Sequence, residues 1–96
     1  MNEATRTVVD ILRETRALLA LPGNDFSWSS WIDADDALRE IDALIALIES
    51  GAPWRPGGAS ILYAPTGPIQ EVSLSSGWGD EFLTLADRFD EAIGAL

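Results

Sequence analysis

The segment 64–80 constrains the fold most, because it contains the only turn that separates two strand-like runs. The run leading into this turn is Ile-Leu-Tyr, a composition of high strand propensity. After the turn, Val72 and Leu74 alternate with polar residues, as they would in a strand with one buried face. The sequence therefore predicts an antiparallel hairpin over about 60–75.

The turn itself is Pro65-Thr66-Gly67-Pro68. Counted from Ala64, proline at the second position and glycine at the fourth fit a type I β-turn. Neither proline can donate a backbone hydrogen bond, so the hairpin would pair only along its two arms. Because a lone two-stranded sheet is marginal in water, we expect a homodimer, formed through the hairpin edge or through helices.

Three further segments repeat their apolar residues with the period of a helix, at about 3–21, 33–50 and 80–94. Gly51 is placed to end the second helix in a left-handed conformation, and Asp80 is placed to cap the start of the third. The predicted core faces include Val8, Ile11, Leu12 and Leu19, then Ile41, Ile45 and Ile48, and finally Phe82, Leu85 and Phe89.

These elements predict one domain over residues 1–96 of the α+β class. The order is α-α-β-β-α, with three helices packed against a two-stranded antiparallel hairpin. The segments 22–32 and 52–60 have no period and are predicted to be loops. A chain of this length buries about two-thirds of its unfolded surface, enough for a core without disulfides or metals.

The charge narrows the range of partners. Sixteen acidic residues and six arginines give a net charge of -10. Such a chain repels phosphate backbones and anionic membranes, so we expect neither nucleic-acid nor membrane binding. The acidity suits a basic protein partner, although solubility alone would also explain it.

The missing residue types exclude much chemistry. The chain has no Cys, no His and no Lys. It therefore lacks thiol catalysis, the commonest general base and the amine needed for a Schiff base. This argues against an enzyme, and we expect no cofactor. The charged N-terminal residues do not form a signal peptide, so the cytoplasm is the expected compartment.

Aromatic residues alternate with serines in the loop 22–32. Phe26, Trp28 and Trp31 could form a recognition surface, since aromatic and small polar residues are common in such surfaces. The same rings could instead close the open end of a small core, with their indole N–H groups bonded to backbone carbonyls. Both interpretations remain open at this stage.

Two apolar residues lie off the predicted core faces of their helices. Val9 does so in the first helix and Leu83 in the third. Single stray apolar residues are common on protein surfaces. If the two proved to be adjacent and exposed, they would form a candidate interface.

The start of the second helix is acidic. Asp33 and Asp36 are neighbours on a helix, so they are the candidate ligands for Mg²⁺ or Ca²⁺. Their position at the positive end of the helix dipole explains them equally well without a metal. An enzyme using these carboxylates, with Tyr63 or Asp80, would belong to the same alternative.

Two functions therefore remain. The first is a small acidic protein-protein interaction module: a regulator, an inhibitor or an immunity-like protein that binds a more basic partner. The alternative is a carboxylate-dependent enzyme or a Mg²⁺/Ca²⁺-binding protein. We favour the first, because the usual catalytic side chains are missing and the loop 22–32 is rich in aromatic residues.

Overall fold

The computed structural model covers residues 1–96 and contains five helices and no strand. The helices are α1 (Glu3–Leu19), α2 (Ala34–Glu49), α3 (Pro56–Tyr63), α4 (Pro68–Ser76) and α5 (Gly79–Gly94). The protein is therefore all-α, and the predicted α+β class with a two-stranded hairpin is wrong. No helix combines the length and the apolar composition that a membrane crossing requires.

Side-chain caps start α1 and α2. The Asn2 side chain accepts a hydrogen bond from the Thr5 N–H (2.8 Å), and the Asp33 carboxylate accepts one from the Asp36 N–H (2.9 Å). These bonds satisfy donors that the first turn of a helix leaves free. After α2 comes Gly51, whose φ of +79° lies in the left-handed region, as its position predicts.

The helices α3 and α4 replace the predicted hairpin at 60–75. Each begins with a proline in its first turn. The N–H that proline lacks would have no acceptor within the helix at this position, so no hydrogen bond is lost. In α4, Val72 and Ser73 are buried, whereas Leu74 is 66% exposed. A strand would bury Val72 and Leu74 on the same face, so this pattern of burial is helical. Gly77, with a φ of +87°, ends α4 in the left-handed conformation.

The turn between α3 and α4 lies at the predicted position but joins two helices. The Gly67 N–H donates to the Ala64 carbonyl (2.9 Å), and Thr66 has a φ of +61°. A positive φ at the third position is typical of a type II turn rather than the predicted type I. Gly67 leaves no room for a side chain, because a Cβ there would lie 2.8 Å from the Ile61 carbonyl oxygen.

The last helix begins one residue before the predicted cap. Trp78 occupies the N-cap position of α5 without a side-chain hydrogen bond, so the capping role predicted for Asp80 is wrong. Asp80 and Glu81 lie in the first turn instead. There the positive end of the helix dipole favours their charge.

The helix α1 is the centre of the packing. It lies against α2 on one side and α5 on the other, while α3 and α4 pack on each other and on α5. All five helices contribute to one apolar core, and Trp31 and Trp78 join it from the connecting segments. Since α2 packs mainly on α1 and α3 mainly on α4 and α5, a groove is left between α2 and α3.

Ion pairs show that α1 and α2 are antiparallel. Arg13 bonds to Glu49 (2.7 Å), and Arg16, one turn further along α1, bonds to Asp42, two turns earlier in α2. The Arg16 contact uses two guanidinium nitrogens, at 2.6 and 3.1 Å from the two carboxylate oxygens. Pairs this exposed contribute about 0.2–1 kcal/mol each, so they orient the helices more than they stabilise them.

Candidate interaction surface

Asn24 fixes the start of the aromatic loop. Its side-chain amide donates to the Leu18 carbonyl (2.8 Å) and the Leu19 carbonyl (3.1 Å), which closes the C-terminal end of α1. Its amide oxygen accepts a hydrogen bond from the indole N–H of Trp78 (2.9 Å). One side chain therefore links the end of α1, the loop and the start of α5.

Two further hydrogen bonds hold the loop against α4. The Asp25 N–H donates to the Ser76 hydroxyl (2.9 Å), and the Ser29 hydroxyl donates to the Pro68 carbonyl (3.3 Å). Hydrogen bonds from Ser27, one of them from its backbone N–H at 2.9 Å, hold the pKa of Asp25 below its usual range. The loop is therefore bonded to both ends of α4, to Ser76 at its last residue and to Pro68 at its first.

The three aromatic residues of the loop have different environments. Trp31 is only 5% exposed and belongs to the core, and its indole N–H donates to Glu40 (2.7 Å). Phe26 is partly buried against the same core. Trp28 is 75% exposed. Of these three rings only Trp28 is largely exposed, whereas Trp31 lines the neighbouring groove.

The most exposed large apolar side chain was not a sequence prediction. Ile32 is 85% exposed and directly precedes the Asp33 cap of α2. An apolar residue at this position commonly packs against the first turns of the following helix. No signal in the sequence therefore distinguishes this exposed side chain from one that packs inward.

The first half of the groove lies beside this loop. Its apolar lining comprises Trp31, Ala43, Ile61, Leu62 and Pro68. Ile61 is 66% exposed, so it presents a large apolar side chain to solvent in this half of the groove. Glu40, Asp36 and Arg39 form the polar rim of this half.

The second half of the groove continues along α2 and α3. Its apolar lining comprises Leu44, Leu47, Pro53, Trp54 and Leu62. Glu40 and Leu62 line both halves, so the two depressions are continuous. The groove is called the α2–α3 groove below. Trp54 is partly buried against the core.

The ion pairs of the molecule lie outside the α2–α3 groove. Arg88 binds Glu14 in a bidentate contact at 3.0 and 2.7 Å, which joins α5 to α1. The hydrogen bond from Arg88 lowers the pKa of Glu14, and that from Arg16 lowers the pKa of Asp42. Three of the six arginines are used in such pairs, and all three lie away from the α2–α3 groove.

The N-terminal end of α2 therefore carries uncompensated negative charge. Asp33, Asp35 and Asp36 lie within its cap and first turn, and none of them forms an ion pair. Arg39, in the same depression as Asp36, and Arg55, in the second depression, are exposed and are also unpaired. The lining of the groove therefore holds two carboxylates and two arginines, and the excess negative charge lies at Asp33 and Asp35.

The carboxylates of the metal alternative have structural partners. One Asp33 oxygen accepts the Asp36 N–H (2.9 Å), and one Asp36 oxygen accepts the Ile32 N–H (3.0 Å). The first bond is that of an N-cap, and the second resembles the return bond of a capping box but comes from the residue before the cap, Ile32. The structure contains no group of three or more acidic side chains placed to hold a metal ion.

The other predicted candidates do not meet in one site. Val9 is buried in the core, whereas Leu83 is 55% exposed on α5. The exposed pair suggested for an interface therefore does not exist, because α1 is covered on both the α2 and the α5 side. Tyr63 is also buried, and its ring stacks on that of Phe89 with 4.2 Å between the ring centroids. Burial raises the pKa of the Tyr63 hydroxyl.

Comparisons with known proteins return no relative of this chain. No protein-family model matches it, and neither a curated protein nor a solved structure is detectably similar to it.

Proposed function

We propose that this protein is a small acidic interaction module that binds a basic protein partner through the α2–α3 groove and the adjoining residues Trp28 and Ile32. The observation that carries this proposal is the exposure of two large apolar side chains, 75% for Trp28 and 85% for Ile32, in the loop whose residues Ser30 and Trp31 line an apolar groove. Large aromatic residues such as Trp are common anchors of protein interfaces, and an exposed aliphatic side chain in the same loop adds apolar area.

The energetics of burial support these two residues as anchors. Covering an exposed Ile side chain yields about 1.5–3 kcal/mol, and a Trp ring buries still more area. The loop that carries them is fixed by Asn24 and by its bonds to α4. Little conformational entropy would therefore be lost when a partner binds, which favours affinity.

Charge supports a basic partner over a second copy. A dimer through this surface would bring two chains of net charge -10 together with their acidic α2 ends close by. The earlier reason for a homodimer, an unpaired strand edge, disappears because the protein has no strand. A homodimer thus becomes the weaker of the two expected assemblies.

A regulator, an inhibitor and an immunity-like protein would each use such a surface to bind a basic partner. Nucleic acids and anionic membranes are not part of the proposal, because the charge repels both. The cytoplasm is the compartment that we propose, since the chain has no cysteine of the kind that stabilises small domains in oxidising compartments.

The proposal is tested by affinity capture from the source cell with a pair of double variants. Trp28→Ser/Ile32→Ser removes both anchors, whereas Leu83→Ser/Leu96→Ser removes two exposed apolar side chains from α5 and its end. We expect wild type and the α5 variant to recover the same partner in stoichiometric amounts, and the anchor variant to lose it.

The captured protein is then purified, and its affinity for each variant is measured by calorimetry. We expect a loss of at least tenfold for Trp28→Ser/Ile32→Ser, and weaker wild-type binding as salt rises. Circular dichroism of both variants checks that they remain folded. Recovery of no stoichiometric partner, or equal binding by the anchor variant, would refute the proposal.

A further inference from the structure

We infer that the partner inserts a basic amphipathic helix of about three turns into the α2–α3 groove. This inference rests on the proposed function, and it adds the shape and the charge of the segment that is recognised. The occupant is a helix of another protein rather than a second copy of this chain. Its apolar face fills the groove, and its basic residues lie against the first turn of α2.

The length of the groove determines the length of the occupant. On α2 its lining runs from Asp36 to Leu47. At a rise of about 1.5 Å per residue this is about 16 Å, the length of roughly 11 helical residues. A single helix lying along the groove can contact both α2 and α3.

The two depressions match the spacing of side chains on a helix. Their α2 linings are centred about one turn apart, because Arg39 and Ala43 line the first and Leu44 and Leu47 the second. Side chains three or four residues apart on a helix have the same separation. The occupant would place successive apolar residues in the two depressions.

Small residues let a helix approach closely. Ala43 on α2 and Ala59 with Gly58 on α3 line the groove, and a Cβ at Gly58 would meet no atom within 4 Å. The space above Gly58 is therefore open. Gly57, its neighbour in the same helix, is equally open but does not line the groove.

The rim charge selects the sign of the occupant. Within the lining, Asp36 and Glu40 are matched in number by Arg39 and Arg55. The excess negative charge comes from Asp33 and Asp35 at the start of α2, which form no ion pair, and from the net charge of -10 of the chain. Lysine or arginine residues on the occupant would complement these carboxylates. A second copy of this chain would add to the same negative charge, so it is disfavoured as the occupant.

A displayed library tests this inference without knowledge of the natural partner. The library consists of 14-residue peptides with a helix-favouring framework, random apolar residues at one helical face and random charges elsewhere. We expect selection on the wild-type protein to enrich bulky apolar residues at helical spacing together with Lys and Arg. Failure to enrich any sequence, or enrichment of acidic peptides, would overturn the inference.

A matched pair of variants locates the binding site of the selected peptide. Gly58→Leu should fill the groove and weaken binding at least tenfold, while Gly57→Leu should change it by less than twofold. In ¹⁵N spectra the indole N–H signals of Trp31 and Trp54 should shift on binding. Equal effects of the two substitutions, or a dimer in sedimentation that Gly58→Leu dissociates, would overturn the inference.

The same variants separate this inference from the proposed function. If a captured natural partner is lost with Trp28→Ser/Ile32→Ser but retained with Gly58→Leu, the interaction module stands and the helix in the groove is refuted. If both variants lose the partner and Gly57→Leu retains it, both conclusions hold.

Discussion

Thr15 and Tyr63 join α1 to α3 inside the core. Their hydroxyl oxygens lie 2.6 Å apart, and the Thr15 hydroxyl also bonds to the Ile11 carbonyl (2.8 Å). Since Thr15 donates its single proton to that carbonyl, Tyr63 is the donor in the bond between the two residues. Tyr63 is therefore a protonated structural residue, and its raised pKa reflects burial rather than reactivity.

Replacing the acceptor should cost more stability than replacing the donor. Thr15→Val leaves the buried Tyr63 hydroxyl without a partner, so we expect a loss of about 1–3 kcal/mol in the free energy of unfolding. Tyr63→Phe removes one hydrogen bond and leaves Thr15 bonded to Ile11, for a loss of about 1 kcal/mol. Urea unfolding of both single variants and the double variant measures these losses.

The double variant provides the control for this pair. Thr15→Val/Tyr63→Phe removes both hydroxyls and leaves no buried hydroxyl without a hydrogen-bond partner. Its loss of unfolding free energy should therefore be smaller than the sum of the two single losses. Additive losses would show that the two hydroxyls do not interact.

The short helices α3 and α4 depend on one close contact between backbone segments. Gly67 lies where a Cβ would come within 2.8 Å of the Ile61 carbonyl oxygen and 2.9 Å of the Ala64 carbonyl oxygen. Its φ of -76° is open to any residue, so the demand for glycine comes from the approach of the last turn of α3. The angle between the two helices is set at this point.

Gly67→Ala should therefore lose about 1–3 kcal/mol of stability, because the carbonyls it meets belong to the backbone and cannot rotate away. Gly57→Ala in α3 is the control, since a Cβ there meets nothing and alanine is the better helix former. We expect that variant to gain about 0.5 kcal/mol. Thermal unfolding of the two variants compares them, and equal effects would contradict the packing role of Gly67.

Charge repulsion acts on the whole molecule. The three ion pairs tie α1 to α2 and α5, but they leave thirteen of the sixteen carboxylates without an arginine partner at ion-pair distance. Folding brings these charges together within a molecule of about 35 × 23 × 19 Å. Salt screens interactions between exposed charges over a distance of about 10 Å at 0.1 M.

The melting temperature should therefore rise when NaCl is increased from about 10 mM to 0.3 M, as screening relieves the net repulsion. A gain of about 1 kcal/mol corresponds to about 4–8 °C for a domain of this size. Asp87→Asn/Asp90→Asn on the exposed face of α5 should show a smaller rise. A melting temperature that falls with salt would mean that the ion pairs outweigh the repulsion.

The sequence predicts the long helices better than the short ones for a physical reason. In α1, α2 and α5 the apolar period extends over four turns. Several apolar residues therefore mark the buried face of each helix, among them Ile11, Ile41 and Phe89. In α4 only two turns exist, and Val72 with Leu74 imitates the alternation of a strand. The buried Ser73 reveals the helical period, but a serine carries no hydrophobic signal.

The sequence by itself determined the three long helices, the acidic net charge, the absence of thiol, imidazole and amine chemistry, and the position of the turn at Pro65. Those properties follow from local periodicity and composition. Only the tertiary structure decided that Trp31 is buried and Ile32 exposed, and that α2 and α3 leave a groove between them. Such outcomes depend on how the helices pack around α1, and neighbours distant in sequence set that packing.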